Sequence, residues 1–314
     1  MLITFSFFTS IILCSDLVGD RTDGSNTSEE NITKLHGGQK NTAKNMKLAS
    51  SLHLWPEAKC KLLNLDFGFN AFDDQYRGCT ELLEEDVMPK ILTLEKAINL
   101  EFGLAWNRAE VQWEQIKTQF RLPPGFKDEF GTAVIVYTTD WPKENPVYKV
   151  FNENVSTAGK SRTHYIQNFH FKSLHFYLTR ALQTLKKTSK RRHQTFRGTH
   201  DSYEVSESVL RFGRFTSSSL NIEVAKEYYS GLLFEIVTCF GVDIHKLSSF
   251  PEEKEVLIPV AEKFIYRGKK GNMHVIDSTC ELCSYFNCAL FGEEKLDVPV
   301  CSTSGKYLYT HVSK

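Results

Sequence analysis

The stretch Glu252-Glu253-Lys254-Glu255-Val256-Leu257-Ile258-Pro259 places an acidic cluster directly before a short apolar run. The aliphatic residues that end at a proline predict a buried β-strand. In an extended chain, residues two apart point to the same face, so we expect Glu253 and Glu255 to project together. Two such carboxylates can divide the work of a reaction, one binding a ligand and the other directing a nucleophile. A solvated charged turn before the strand is the alternative interpretation.

Two earlier stretches of the same half carry further polar groups. Phe196-Arg197-Gly198-Thr199 sets an arginine on a predicted strand, followed by a glycine that allows another backbone or a ligand to approach closely. Phe215-Thr216-Ser217-Ser218-Ser219-Leu220 supplies hydroxyls that can position an amide or a ribose. For the first stretch, the alternative is an exposed arginine on an edge strand. For the second, it is an ordinary junction between a strand and a loop. The chain has no GxSxG motif, which weighs against a nucleophilic serine.

The two halves of the chain differ in their predicted secondary structure. From about residue 194 onward, β-branched and aromatic runs alternate with turn residues, which predicts strands. From about 73 to 190 the pattern is mostly helical, with clear helices at 84–113 and 173–187, whereas TAVIVYTT (132–139) is ambiguous. Helices followed by strands indicate an α+β fold, in which a helical N-terminal half packs on a mixed or antiparallel two-sheet β core.

Composition limits the function classes. The chain has 314 residues, with 38 lysines and arginines balanced by 38 aspartates and glutamates. A zero net charge gives no overall field to hold a polyanion, so we expect no nucleic-acid partner. The basic residues between Lys186 and Arg192 are interpreted as a solvated helix end.

The termini favour a secreted protein. MLITFSFFTSIILCS resembles the apolar core of a signal peptide, assigned to residues 1–18, with a buried strand as the alternative. Residues 19–60 are polar and predicted to be a disordered arm, and residues 296–314 form a C-terminal tail without the signal of a lipid anchor. We therefore expect no stable membrane insertion. Acceptor triplets predict glycosylation at Asn26, Asn31 and Asn154.

The cysteines favour disulfides. Cys14 lies in the predicted signal peptide, and seven cysteines remain, an odd number that leaves at least one thiol free or intermolecular. Cys280 and Cys283 form a CxxC motif, but no second pair follows at the spacing of a zinc site. We therefore expect disulfides here, rather than a metal or a redox dithiol.

The order of arginine, serine block and Glu-x-Glu on successive strands resembles the vertebrate arginine-specific ecto-mono-ADP-ribosyltransferases. The likeness covers about residues 65–295. Further blocks similar to that family stand in the same order: Phe72–Cys79, Phe169–Leu178, Arg211–Gly213, Phe234–Cys239 and Lys254–Pro259.

The resemblance implies an ADP-ribosyltransferase catalytic domain at 61–295, with NAD as co-substrate and no metal. By position, Glu255 would stabilise the ribose cation, Glu253 would hold the acceptor guanidinium, and Arg197 would hold the pyrophosphate of NAD. Ser217 would brace the nicotinamide and Glu255, and Gly198 is assigned to the NAD site with them. The segment His245–Phe250 resembles a target-recognition loop.

The resemblance also bears on the cysteines. It implies a disulfide between Cys79 and Cys288. The family commonly has a further cysteine, paired with the one that matches Cys239, where this chain has Arg191. Cys239 is therefore free or differently paired. A bridge from Cys60 to Cys301, or one to Cys280 or Cys283, stays open. The chain also has Phe196 and Ser218 where the family usually has tyrosine and threonine.

The leading hypothesis is an active enzyme that transfers ADP-ribose to arginine-bearing extracellular proteins. A secreted NAD glycohydrolase, with water as the acceptor, is one alternative. A catalytically silent binding protein that keeps the fold is the other.

Overall fold

The computed structural model describes residues 62–189, 191–200, 202–205 and 207–303. The predicted signal peptide at 1–18 and arm at 19–60 lie outside the described residues, and so do Asn26, Asn31 and Cys60.

The first half of the described chain is helical, as predicted. Helix α1 (Thr80–Leu82) continues through a π-helical turn (Leu83–Val87) into α2 (Met88–Ile98), and α3 (Leu100–Ile116) ends in a 3-10 turn at Lys117–Gln119. The other helices are α4 (Asp128–Thr138), α5 (Val147–Ala158), α6 (Arg162–Asn168) and α7 (Lys172–Thr188). Helix α7 confirms the periodic stretch at 173–187, and its buried face includes Leu174, Leu178 and Ala181.

The continuous helix predicted over 84–113 is interrupted once, at Asn99. This residue has an extended backbone (φ −114°, ψ 91°), and its side chain accepts a hydrogen bond from the amide of Phe102 at 3.1 Å. Asparagine side chains favour this capping position, because they satisfy an amide that has no partner in the first turn. The chain therefore ends one helix and begins the next at this residue.

The ambiguous stretch at 132–139 lies almost entirely within helix α4. Every residue from Phe130 to Tyr137 is buried, so the segment has no polar face to reveal its helical period. At Gly131 the helix backbone packs against Trp113, since a Cβ atom would lie 2.4 Å from the indole ring. The Trp113 indole also donates to Asp128 in the first turn of α4 at 2.8 Å. Tertiary packing here overrides the strand propensity of valine and isoleucine.

The second half forms the sheets. Its strands are β2 (His193–Gly198), β3 (Ser202–Val205), β4 (Val209–Leu210), β5 (Thr216–Ser219), β6 (Leu233–Thr238), β7 (Val242–Asp243), β8 (Glu255–Ile258), β9 (Glu262–Lys270), β10 (Met273–Ser284) and β11 (Val300–Thr303). Helix α8 (Ile222–Glu227) lies between β5 and β6, and β1 (Leu62–Leu65) precedes all of them.

Within the described residues, these strands form two sheets. Strands β1 and β3 pair in parallel, and a nine-stranded sheet has the order β4-β9-β10-β6-β2-β5-β8-β7, with β11 added to β10. All neighbours in the larger sheet are antiparallel except β6 and β10. The predicted α+β class, with a mixed and largely antiparallel two-sheet core, is confirmed. Strand β11 lies within the stretch 296–314 that the sequence assigns to a tail.

Two hydrophobic clusters stabilise this arrangement. The larger one joins the helices to the strands and includes Phe72, Trp106, Phe151, Leu178 and Phe215. The smaller one lies among β4, β6, β8, β9 and β10 and is formed by Leu210, Phe234, Ile236, Ile258, Phe264 and Ile276. Burial of such side chains contributes about 1.5–3 kcal/mol each.

A buried ion pair joins distant parts of the chain. The Arg211 guanidinium donates to Asp73 at 2.7 Å, and both side chains are fully buried. Asp73 also accepts from the amides of Tyr285 and Phe286 at 2.9–3.1 Å. These bonds satisfy a carboxylate that burial alone would disfavour, because burial raises the pKa of Asp73 and the arginine opposes that effect.

Candidate active site

Three neighbouring strands bring together Arg197, Ser217 and Glu255. These residues lie on β2, β5 and β8, and β5 is hydrogen-bonded between the other two strands. The Arg197 guanidinium donates to the main-chain carbonyl of Ser217 at 2.7 Å. The sequence predicts these residues on successive strands, and the structure places the strands side by side.

The three serines of β5 have different surroundings. Ser219 pairs directly with Glu255 across the ladder, and Ser217, two residues away, points to the same face. The Ser217 hydroxyl lies 3.4 Å from the hydroxyl of Tyr137. Ser218 is buried, and its hydroxyl donates to the carbonyl of Val256 at 2.9 Å. Two of the three hydroxyls therefore lie on the face that carries Glu255.

Glu255 is a buried carboxyl with a perturbed pKa. It is 5% exposed, and the Ser248 hydroxyl donates to its Oε2 atom at 3.4 Å. Burial is the main cause that raises the pKa of Glu255 from 4.5 to about 7, and the charge of Glu253 raises it further. Hydrogen bonds from Ser217 and Ser248 and the charge of Arg197 oppose the rise. Such a carboxyl changes its charge near neutral pH.

Glu253 does not lie in an extended strand with Glu255, so the predicted extended backbone between the two residues is wrong. It ends a 3-10 turn (Pro251–Glu253), and Lys254 adopts the left-handed conformation (φ 49°, ψ 48°) before β8 begins at Glu255. The alternation of side chains along a strand therefore does not apply across Lys254. The two carboxylates are still close enough for the charge of Glu253 to affect the pKa of Glu255.

Two side-chain hydroxyls donate hydrogen bonds to Glu253. The Ser219 hydroxyl donates to its main-chain carbonyl at 2.7 Å. The Tyr228 hydroxyl donates to its carboxylate atom Oε1 at 2.5 Å. Tyr228 follows α8, so a short helix between β5 and β6 supplies a side chain to the Glu-x-Glu segment.

Several side chains that no sequence pattern marked surround these residues. Tyr137, at the buried end of α4, donates to the carbonyl of Phe215 at 3.0 Å and accepts from Asn152 at 3.1 Å. Burial raises its pKa to about 12, so its hydroxyl stays protonated at neutral pH. No local pattern marks Tyr137 as a site residue, because its contacts depend on how α4 and α5 pack against β5.

Tyr148 on α5 is a second missed residue. Burial raises its pKa above the ordinary value. The charge of Arg197 lowers that pKa, whereas those of Asp140, Glu253 and Glu255 raise it. The half-buried ring of Tyr148 thus lies in the field of all three charged residues predicted for the site.

Gly198 packs against the protein's own backbone. A Cβ atom at this position would lie 2.0 Å from the carbonyl oxygen of Ala225 and 2.9 Å from the amide nitrogen of Tyr229. The glycine is thus required where the end of α8 crosses β2. Its assignment to an NAD site stays a prediction.

The segment predicted to recognise target proteins, His245–Phe250, is anchored at several points. Leu247 and Ser248 are buried, and the amide of Ser249 donates to the Thr138 hydroxyl at 2.9 Å. Lys246 is exposed. The segment therefore combines a solvent-facing residue with Ser248, which contacts Glu255.

The structure contains three disulfides among the described cysteines: Cys79–Cys288, Cys239–Cys280 and Cys283–Cys301. The expectation that the CxxC cysteines form disulfides is confirmed, and each bonds to a partner outside the motif. Cys239, which lacks its family partner at Arg191, pairs with Cys280. Cys301 pairs with Cys283 instead of Cys60.

Among the described residues, no group of three or more histidine, cysteine, aspartate or glutamate side chains is arranged to hold a metal ion. In the same ranges, no helix combines the length and hydropathy needed to cross a membrane. Asn154 lies within α5 and its amide donates to the carbonyl of Val150 at 2.8 Å, so its glycosylation stays a prediction.

Comparison with known proteins decides the family. The model of the NAD:arginine ADP-ribosyltransferase family matches residues 65–279. The chain belongs to this family. The enzyme class predicted from the sequence, an ADP-ribosyltransferase that uses NAD, is therefore confirmed.

Individual relatives of this ADP-ribosyltransferase support the same family assignment. Ecto-ADP-ribosyltransferase 5 of Bos taurus is 41% identical over 237 residues, which cover 72% of this chain and 74% of that protein. Erythroblast NAD(P)(+)–arginine ADP-ribosyltransferase of Gallus gallus is 38% identical over 246 residues, covering 76% of this chain and 80% of the relative. Among solved structures, a mutant of the eukaryotic mono-ADP-ribosyltransferase ART2.2 in complex with NAD is 37% identical, with a TM-score of 0.65, covering 72% of this chain and 98% of that one.

Proposed function

We propose that this ADP-ribosyltransferase cleaves the nicotinamide–ribose bond of NAD and transfers ADP-ribose to arginine side chains of proteins outside the cell. The observation that carries the proposal is the buried carboxyl of Glu255, with Arg197 and Ser217 on the two adjacent strands and Glu253 across one turn.

Arg197 suits the pyrophosphate of NAD. A guanidinium has five N–H donors in a planar fork, and this geometry matches a phosphate. Within the described part of the chain, one donor is used by the Ser217 carbonyl. That bond orients the side chain and leaves further donors for an anion.

Glu255 suits the ribose of NAD. When the C1′–N bond breaks, its electron pair leaves with nicotinamide and positive charge develops on the ribose. An ionised Glu255 would accept a hydrogen bond from the 2′-hydroxyl and stabilise that charge. The Ser217 hydroxyl, which interacts with both Tyr137 and Glu255, would hold the carboxylate in place.

Glu253 suits the acceptor. A carboxylate and a guanidinium can form two parallel hydrogen bonds, which would orient an arginine nitrogen towards C1′. Attack by that nitrogen forms the new bond, and one proton is released to solvent. An arginine is difficult to deprotonate beforehand, so orientation contributes more than a strong base.

Activity outside the cell is supported by the disulfides and by the relatives named ecto-enzymes. Disulfides persist in oxidising compartments, and the described residues contain three of them. The bovine relative is named an ecto-ADP-ribosyltransferase.

The test is incubation of the purified protein with labelled NAD and agmatine, a small guanidine. We expect wild type to label agmatine, and Glu255→Gln to lose nicotinamide release and labelling by at least about 100-fold. Glu253→Gln should still release nicotinamide but label little agmatine. Glu252→Gln, a change at the exposed neighbouring glutamate, is the matched control and should behave as wild type.

Other outcomes would overturn the proposal. Release of free ADP-ribose without labelled agmatine from wild type would identify a glycohydrolase. No nicotinamide release from folded wild type would indicate a binding protein.

A further inference from the structure

The hydroxyl of Tyr228 is directed at the carboxylate assigned to the acceptor. Its donor–acceptor distance to Glu253 Oε1 is 2.5 Å, although 25 residues separate the two in sequence. Tyr228 is 46% exposed. A solvent-facing aromatic side chain thus lies beside the carboxylate to which the proposed function assigns the acceptor.

The backbone at both ends of this contact is fixed through Ser219. The Ser219 hydroxyl donates to the Glu253 carbonyl at 2.7 Å and accepts from the Asn221 amide at 2.9 Å. Asn221 in turn caps α8, whose C-terminal end carries Tyr228. The turn before Glu253 and the helix before Tyr228 are therefore joined to the same side chain, which keeps the phenol and the carboxylate in reach of each other.

The C-terminal end of α8 is also held in place. Its last turn packs on β2 at Gly198, where the carbonyl of Ala225 lies against the glycine. The helix cannot move away from β2 and β5 without breaking these contacts. Tyr228 thus approaches Glu253 from a rigid element, which is the usual requirement for precise positioning of a functional group.

The hydrogen bond from Tyr228 leaves Glu253 able to bind a guanidinium. Each carboxylate oxygen has two lone pairs, so Oε1 can accept from Tyr228 and from an acceptor N–H at the same time. A glutamate side chain also loses rotamer freedom when it binds a ligand. A hydrogen bond that orders Glu253 beforehand reduces that cost.

We propose that Tyr228 is a positioning residue for the acceptor: its hydroxyl holds Glu253 in the orientation that receives a guanidinium, and it thereby sets the share of ADP-ribose that goes to arginine instead of water. This inference rests on the proposed function. In both reactions the C1′–N bond breaks and nicotinamide leaves with its electron pair. The nucleophile is an arginine nitrogen in one and a water oxygen in the other, and each loses one proton.

The experiment compares Tyr228→Phe with Tyr229→Phe. Tyr229 is also exposed (39%), and among the described residues its hydroxyl forms no hydrogen bond with Glu253. Nicotinamide release measures total turnover with labelled NAD, and labelled agmatine measures transfer. We expect Tyr228→Phe to lower the ratio of agmatine labelled to nicotinamide released by about three- to tenfold, through a higher KM for agmatine. Tyr229→Phe should leave the ratio unchanged.

A double variant separates positioning from a general structural effect. In the Glu253→Ala background the Tyr228 hydroxyl has no side-chain acceptor at position 253, so Tyr228→Phe should add less than a twofold change in the ratio. An unchanged ratio in Tyr228→Phe, an equal fall in transfer and hydrolysis, or the same effect from Tyr229→Phe would overturn the inference. Wild type that labels no agmatine would instead overturn the proposed function, and this inference with it.

Discussion

Ser219 lies directly opposite Glu255 in the β5–β8 ladder, while its hydroxyl binds the carbonyl of Glu253. One serine therefore contacts the segments of both carboxylates. The resemblance assigns a role to Ser217, but in the structure Ser219 is the serine that pairs with Glu255 and bonds to the main chain of Glu253.

Ser219→Ala should loosen the turn that carries Glu253. We expect transfer to agmatine to fall about three- to tenfold, because a hydrogen bond worth about 0.5–1.5 kcal/mol is lost beside the acceptor site. Ser218→Ala is the matched control: it removes a buried hydroxyl bonded to Val256 on the opposite face. The two variants should lose similar thermal stability, while transfer should fall in Ser219→Ala alone. Equal activity losses would contradict this role of Ser219.

The pH profile should report Glu255. Its pKa is about 7 in the folded protein, and the proposed role requires the ionised form. The value of kcat/KM for NAD should therefore fall as the pH drops below 7, approaching tenfold for each pH unit. A plot of kcat/KM from pH 5 to 9 tests this prediction. A midpoint near 4.5, the ordinary value for a glutamate, would show that burial of Glu255 does not control the reaction.

Glu255→Gln should stabilise the fold while it removes activity. A group whose pKa is higher in the folded state than in the unfolded state lowers stability as the pH rises from the unfolded to the folded value, and the full loss is present above the folded value. A rise from 4.5 to about 7 corresponds to about 3 kcal/mol. We therefore expect a higher unfolding free energy for Glu255→Gln at pH 8, and a much smaller gain at pH 5, by denaturant titration. Glu252→Gln should change neither value. A destabilised Glu255→Gln at pH 8 would argue against a desolvated carboxylate.

Gly198→Ala should destabilise the protein. The added Cβ atom would meet the carbonyl of Ala225 at 2.0 Å, and a backbone atom cannot yield as a flexible side chain does. Overpacking of this kind costs about 1–3 kcal/mol, which thermal denaturation would show as a lower Tm. Measurement of NAD binding on the same sample distinguishes two roles for the glycine. An unchanged Tm with lost NAD binding would favour a direct contact with the ligand over packing against α8.

The sequence predicted much of the fold because its signals are local. The helical period at 173–187 and the β-branched runs after residue 194 each act over a few residues, and α7, β2, β6, β8 and β10 formed where these patterns predict them. The buried stretch at 132–139 was different: a helix without a polar face has no visible period, and its packing against Trp113 decides its conformation.

The sequence also predicted most of the residues of the candidate site. Arg197, Ser217, Glu253 and Glu255 were singled out from short stretches, and the strand order places three of them on adjacent strands. The extended backbone expected from Glu253 to Glu255 was wrong, because Glu253 ends a 3-10 turn and a left-handed Lys254 precedes the strand. Backbone conformations of this kind are uncommon for lysine and follow from the surrounding structure, not from the residue itself.

The sequence by itself determined the identity of the charged and hydroxyl groups, the strands that carry them and the family. Tertiary structure decided which further groups surround them. Tyr137 reaches Ser217 across 80 residues, and Tyr228 reaches Glu253 across 25. Such contacts leave no local pattern, because they depend on how helices α4 and α8 pack against the sheet and on the burial that gives Glu255 its pKa near 7.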